Sequence, residues 1–208
     1  MLISKLIKNT LPLQGFRVGN VSAHEETLAV QIIPDRRYSP RCGCCGLAGR
    51  YRDTRSVRSF RHVPLWRIEV ILFYAPRRVR CEACRGVYVE RMPWVAGKRR
   101  MTTALAVFLA TWAKELPWAR VADLFRCSWG TVNNAVAYVV DYGLANRDLS
   151  KITNIGVDEI SRKRGHVYLT NVYDLDRAVL IWDSGPLRWD SLLKCNRLVP
   201  KGDMDEEA

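Results

Sequence analysis

Apolar positions along the chain change period twice, and the changes divide it. Residues 16–33, FRVGNVSAHEETLAVQII, carry strand-like apolar positions on either side of a polar turn at His24–Thr27, which predicts a hairpin. Pro34 and Pro40 then mark a break. Between residues 41 and 91 the pattern stays that of strands: RIEVILFYA alternates, and GVYVERM is a shorter run. Residues 92–100, MPWVAGKRR, read as a linker. From Thr103 to Tyr142 the period becomes helical. TTALAVFLATWAKEL predicts one helix, N-capped by Thr102 or Thr103. Pro117 starts a second helix with Val121, Ala122, Leu124 and Phe125 on its buried face. Arg126 and Cys127 make a short turn, and Ser128 caps a third helix with Val132, Val136 and Val139 or Val140 packed inside. After NRDLSK the strand period returns in ITNIGVDEI, GHVYLTNVYDLD and AVLIWDS, three strands joined by tight turns. The expected class is α+β and multidomain: a β-hairpin and β-rich domain over 1–100, a helical domain over 101–150, and an antiparallel meander within 151–208.

Composition narrows the class. A 48% hydrophobic content over 208 residues allows real cores. The longest apolar run, ALAVFLATWA, is too short to span a bilayer. MLISKLIKNT is broken by Lys5 and Lys8, unlike a secretory leader. A soluble, cytoplasmic chain with no membrane partner is expected. Charge is more specific. The formal net charge is +12, and residues 36–100 hold 17 arginines and lysines against Asp53, Glu69, Glu82 and Glu90, a net of +13. Sixteen of the 17 are arginine, with Tyr38, Tyr51, Trp66 and Tyr74 interleaved. Arginine clustered in this way suits a phosphate backbone better than it suits a merely solvated surface.

In a reducing compartment seven cysteines point to metal or to inert core thiols. RCGCCG contains Cys42-x-x-Cys45 followed by Gly46, and RCEACRG contains Cys81-x-x-Cys84. Two such pairs offer four thiolates to one tetrahedral Zn²⁺ at about 2.3 Å. Their separation leaves room for the strands of a zinc ribbon. The site would be structural, because no ligand position is left for water. A redox pair would need a βαβ context, which is absent. Cys44 could replace Cys42 or Cys45, but the spacing and Gly46 favour Cys45. His62 reads as a surface or core histidine.

The three helices have a helix-turn-helix layout: a short helix, a tight turn, then a helix with polar residues near its start. Trp129, Thr131, Asn133 and Asn134 are the candidates to meet DNA, since asparagine can read adenine. An ordinary helical hairpin is the plainer alternative; the neighbouring +13 region tips the reading towards double-stranded DNA.

Asp158, in the middle of the apolar strand NIGVDEIS, is placed like the first metal-binding acid of an RNase H-like nuclease. Such enzymes use two metals for in-line attack on a phosphodiester. Glu159 would face the opposite side of the strand and receives no metal. GVDEISRKRGHVYLTNVYDLD resembles the catalytic opening of bacterial insertion-sequence DDE transposases of the IS-L-three group, and the ribbon and helix-turn-helix come in that family's order. The resemblance runs over nearly all of residues 11–183. It implies DNA transposition, recognition of the terminal inverted repeats of a mobile element, Asp158 as the first acid of the triad, and Mg²⁺ as its cofactor. The family's second Asp and its Glu lie on later strands and helices. Here GPLRWDSLLKCNRLVPKGDMDEEA follows, which departs from that pattern. Asp174, Asp176, Asp183 and Asp190 receive no catalytic role, the first two because DLDR is itself a turn sequence. The expectation is a transposase truncated within its catalytic domain, catalytically incomplete, binding Mg²⁺ weakly or not at all. It would be nucleoid-associated, with a second copy or an intact transposase as further partners. The alternative is a non-enzymatic, sequence-specific DNA-binding protein that represses or competes with intact transposase.

Overall fold

The first ten residues carry no sequence expectation beyond the absence of a leader, yet they form a helix, α1 (Leu2–Thr10). Ile7 and Leu11, one turn apart, are both buried. The computed structural model describes residues 2–163 and 167–184. They divide into two compact units, Met1–Leu144 and Ala145–Ala208.

The hairpin expected at 16–33 is present. β1 (Phe16–His24) and β2 (Thr27–Pro34) pair antiparallel around a turn in which Glu25 has φ of +47°. Five further strands follow: β3 (Arg50–Thr54), β4 (Arg58–Leu65), β5 (Ile68–Tyr74), β6 (Arg77–Cys81) and β7 (Gly86–Val89). They do not form one ribbon. One sheet has the order β1-β2-β5-β4, with β2 and β5 parallel; the other is β3-β6-β7, antiparallel throughout. The chain thus leaves the cysteine-bearing sheet after β3, adds the β4–β5 hairpin to the N-terminal one, and returns as β6.

Alternation explains the excursion. Val70, Leu72 and Tyr74 on β5 share one face with Phe60 and His62 on β4, and all five are buried. Their core includes Ile7, Leu28, Val30, Ile32, Met92 and Trp94. Phe16, Tyr74 and Trp94 meet edge to face, with centroids 4.7–5.5 Å apart. Glu90, buried at the end of β7, joins the sheets: it accepts from the Tyr74 hydroxyl, from Arg77 N at 2.7 Å and from Arg77 Nε at 2.9 Å.

Residues 92–100 look like a linker in composition but are built into this unit. Met92 and Trp94 lie in the core. Arg61 N donates to Arg100 O at 2.9 Å and Thr102 N to Arg61 O at 2.8 Å, so the segment runs against β4. One buried tryptophan outweighs the loop signals of Pro93 and Gly97.

α2 (Thr103–Glu115), α3 (Trp118–Leu124) and α4 (Trp129–Asn146) follow. Thr102 is the N-cap of α2, its hydroxyl accepting from Leu105 N at 3.1 Å. Leu105, Leu109, Val121, Ala122, Val132 and Ala135 form the helical core. Leu124, expected inside, is exposed, and so is Val140. α3 has only two turns, so its inner face is filled by Val121 and Ala122, and Phe125 at its C-cap turns in instead.

In the second unit β8 (Ile155–Lys163), β9 (Val167–Asp174) and β10 (Val179–Ser184) form the expected antiparallel meander, with β9 central. The tail from 185 to 208, including Asp190, lies outside the described residues. No helix among the described residues is long and apolar enough to cross a membrane.

Candidate functional site

Two knuckles face each other across the ends of the β3-β6-β7 sheet. One precedes β3 and carries Cys42 and Cys45; the other joins β6 to β7 and carries Cys81 and Cys84. The four sulfurs lie within 4.8 Å of one another, with Cys45 and Cys81 3.5 Å apart. Bonds of about 2.3 Å to a tetrahedral ion require sulfurs about 3.8 Å apart, so the cluster has the right size. Cys44 is exposed and outside the cluster; its backbone N–H donates to Cys42 Sγ at 3.4 Å.

Local backbone demands explain the knuckle sequences. Gly46 takes φ of +76° while its N–H bonds Cys42 O at 2.9 Å. A Cβ on Gly43 would lie 2.4 Å from Val89 O, so only glycine lets β7 pass. In the second knuckle the left-handed residue is Arg85 rather than the following glycine. The thiols perturb one another. The Leu47 backbone N–H, then the Cys84 thiol, hold Cys45 down at about 7. Cys84 is pushed up, chiefly by its bond to Cys45 and then by burial. Four thiolates this close repel, and a cation relieves the repulsion.

The helix-turn-helix is clamped from the sheet. Arg61, pointing out of β4, donates to Phe125 O at 2.7 Å and Arg126 O at 2.9 Å, and pairs with Glu69 at 2.7 Å. It therefore satisfies the carbonyls of the turn between α3 and α4. Arg126 also pairs with Glu26 in the β1–β2 turn. Beyond that turn Ser128 Oγ accepts from Thr131 N at 3.1 Å and bonds Thr131 Oγ1 at 2.9 Å, so α4 is capped and the Thr131 hydroxyl is engaged.

Trp129 is exposed at the start of α4 and meets Trp118, centroids 5.5 Å apart. Asn133 is half-buried and Asn134 exposed; neither side chain makes a hydrogen bond among the described residues. At helical spacing both face away from Val132 and Ala135. In the sequence Arg61 is one charge among many and Glu26 one residue of a polar turn. Neither carries a local signal, because their partners lie 64 and 100 positions away.

Asp158 is exposed on β8, opposite Asn171. Glu159, on the other face, accepts from Thr170 Oγ1 at 3.4 Å. Asp174 Oδ1 accepts from Asp176 N and Arg177 N at 3.0 and 3.2 Å, the local turn role that DLDR suggests. Asp176 accepts from Thr153 and from Asn154 Nδ2. Among the described residues the four cysteines are the only group of three or more His, Cys, Asp or Glu gathered closely enough to hold a metal.

Known families match both halves of this arrangement. Residues 39–84 match the zinc-finger of transposase IS204/IS1001/IS1096/IS1165, and residues 90–140 match the helix-turn-helix domain of transposase family ISL3. The chain is 29% identical over 185 residues, 88% of its length, to the transposase for insertion sequence element IS1001 of Bordetella parapertussis, of which it covers 45%. It is 34% identical over 154 residues, 73% of its length, to the transposase for insertion sequence element IS1557 of Mycobacterium tuberculosis, of which it covers 34%. The chain thus spans under half the length of these relatives. No solved structure matches it. The chain therefore carries the zinc-ribbon and helix-turn-helix domains of the ISL3 (IS-L-three) transposase family.

Proposed function

We propose that Met1–Leu144 is the DNA-binding part of an insertion-sequence transposase, in which α4 reads the terminal inverted repeats of the element. The observation that carries this is the capped, clamped start of α4, with Asn133 and Asn134 turned away from the core and their amides without a hydrogen-bond partner among the described residues. Each amide can bond an adenine edge in the major groove. Trp129 flanks them, and Thr131 positions the helix start through its bond to Ser128. The arginine-rich residues 36–100 supply phosphate contacts beside it. Cys42, Cys45, Cys81 and Cys84 hold one Zn²⁺ whose four thiolate ligands leave no open position, so its role is structural. A DNA partner implies a cytoplasmic, nucleoid-associated protein.

The meander is the opening of an RNase H-like core and Asp158 its first metal-binding acid. Two-metal chemistry needs several acids around Asp158, and these must come from outside the described residues. With Asp158 alone, Mg²⁺ binds weakly. A second reading follows from the same fact: a protein that occupies element ends without cutting them, and so competes with intact transposase. Self-association through β8 is compatible with either, since Ile155, Val157 and Ile160 are exposed on it.

The test compares the binding of full-length protein to duplexes carrying the element ends and to scrambled duplexes. Preference for the ends, relaxed by Asn133→Ala or Asn134→Ala by about 1–3 kcal/mol, supports the reading. Equal affinity for both duplexes refutes it. Incubation with Mg²⁺ or Mn²⁺ separates the two readings: cleavage abolished by Asp158→Ala means an active transposase.

A further inference from the structure

The β4–β5 hairpin ends in a two-residue turn, Trp66-Arg67, closed by the Leu65–Ile68 pair. Trp66 is 90% exposed, more than any other large apolar side chain among the described residues. It also takes φ of +56°. That position of a tight hairpin suits glycine or asparagine, and a bulky residue there is strained. Trp66 therefore contributes nothing to the core and costs backbone energy. Strain of this kind concentrates where a residue is used.

Its surroundings indicate the use. Trp66 and Arg67 line one cleft with Arg120 and Asp123 of α3 and with two ion pairs, Arg61–Glu69 and Arg126–Glu26, so that two of the cleft's three acids are already neutralised. Two links fix the hairpin to the turn after α3: Arg61 at its base bonds Phe125 O and Arg126 O, and Arg126 pairs with Glu26. The hairpin tip is thus held beside the segment that leads into α4. Arg67 makes no hydrogen bond or salt bridge among the described residues, and the nearby Glu26 is engaged by Arg126.

We propose that the Trp66–Arg67 turn is a second DNA-contacting element, which enters the groove next to the one α4 reads. Trp66 packs against sugars and base edges or wedges between base steps, and Arg67 binds the adjoining phosphates. This rests on the assignment of α4 to DNA. It adds a contact that carries affinity without reading sequence, on duplex flanking the segment recognised by α4.

Trp66→Gly tests it cleanly, because glycine relieves the left-handed strain and the variant should fold at least as well as the parent. Full-length protein is titrated against an element-end duplex with flanking sequence and against one trimmed to the segment α4 protects. A 2-aminopurine is placed at successive flanking positions. Trp66→Gly should bind the long duplex about tenfold more weakly or worse, bind the trimmed duplex unchanged, and keep the parent's base preference. The 2-aminopurine signal of unstacking should disappear with it. Unchanged affinity for the long duplex overturns the proposal, as does an equal loss on both. A change in sedimentation with unaltered DNA affinity assigns Trp66 to contacts between copies and also overturns it. If the parent protein prefers no duplex, the assignment of α4 fails and this proposal fails with it.

Discussion

His62 is inward-facing on β4 and almost fully buried, with Nδ1 2.9 Å from Thr102 Oγ1 and Nε2 3.4 Å from Thr10 Oγ1. Through two hydroxyls it ties α1 and the cap of α2 to the sheet. Burial without an acidic partner lowers its pKa from 6.5 to about 4. The folded state therefore refuses a proton that the unfolded chain accepts. Stability from neutral His62 is complete above the unfolded value of about 6.5 and is lost as pH falls through about 4. The loss should approach roughly 3 kcal/mol at the acid end of this window. Urea unfolding from pH 7 to pH 4.5 should show a falling midpoint in the parent. His62→Gln, which keeps a hydrogen-bonding group without the titration, should give a flatter profile. Parallel profiles would mean that other groups account for the acid sensitivity.

At the level of elements, the knuckles and the turn before α4 are short and depend on groups outside themselves. The knuckles have little core of their own: Cys42, Val79 and Cys81 form the whole buried cluster beneath them. Zinc should therefore supply much of the stability of β3-β6-β7, since metal binding to such a site is folding free energy. Elemental analysis should find about one zinc per chain in the parent and in Cys44→Ser, and little in Cys81→Ser. Chelation should lower the melting temperature of the parent. Zinc kept by Cys81→Ser would remove Cys81 from the ligand set. The turn before α4 depends on Arg61. Arg61→Ala removes two charge-assisted bonds to its carbonyls, a loss of about 2–3 kcal/mol. Amide exchange should accelerate first at 125–132, and preference for element-end DNA should weaken although Arg61 meets no base. Unchanged exchange there would show that the turn holds itself.

Across the whole molecule, charge is segregated along the chain, and the fold distributes it over two sheets. On β3 and β6, Arg78 is neutralised by Asp53, but Arg50 lies directly opposite Arg80, and neither has a salt-bridge partner among the described residues. Like charges opposed across strands are destabilising until an anion joins them. Binding to duplex DNA should therefore be strongly salt-dependent, losing about 10³-fold or more between about 50 and 200 mM salt if about six phosphates are engaged. Arg50→Ala with Arg80→Ala should reduce the slope of log affinity against log salt by up to about 2, without altering base preference. Anisotropy titrations at several salt concentrations measure both. An unchanged slope would exclude the Arg50–Arg80 face from the interface.

Features decided within a short stretch of chain were legible in the sequence. The β1–β2 hairpin, the capped starts of α2 and α4, the meander and the pairing of cysteines at x-x spacing all follow from period, turn chemistry or ligand geometry over a few residues. Tertiary structure alone decided the features that depend on distant partners. Residues 2–10 carry apolar pairs four apart, Leu2-Ile3 and Leu6-Ile7, which is a helical spacing, but so short a helix does not hold by itself; its stability comes from burying Ile7 and Leu11 on a sheet formed later in the chain. MPWVAGKRR has the composition of a linker, but a core into which Trp94 fits makes it part of the unit. Two CxxC pairs indicate a ribbon, but not that the chain between them detours into another sheet, since strand pairing depends on which apolar faces need covering. Arg61, Glu26 and Trp66 look in sequence like surface residues. Only the arrangement that brings β4, the β1–β2 turn and α3 together makes two of them a clamp and the third a candidate contact.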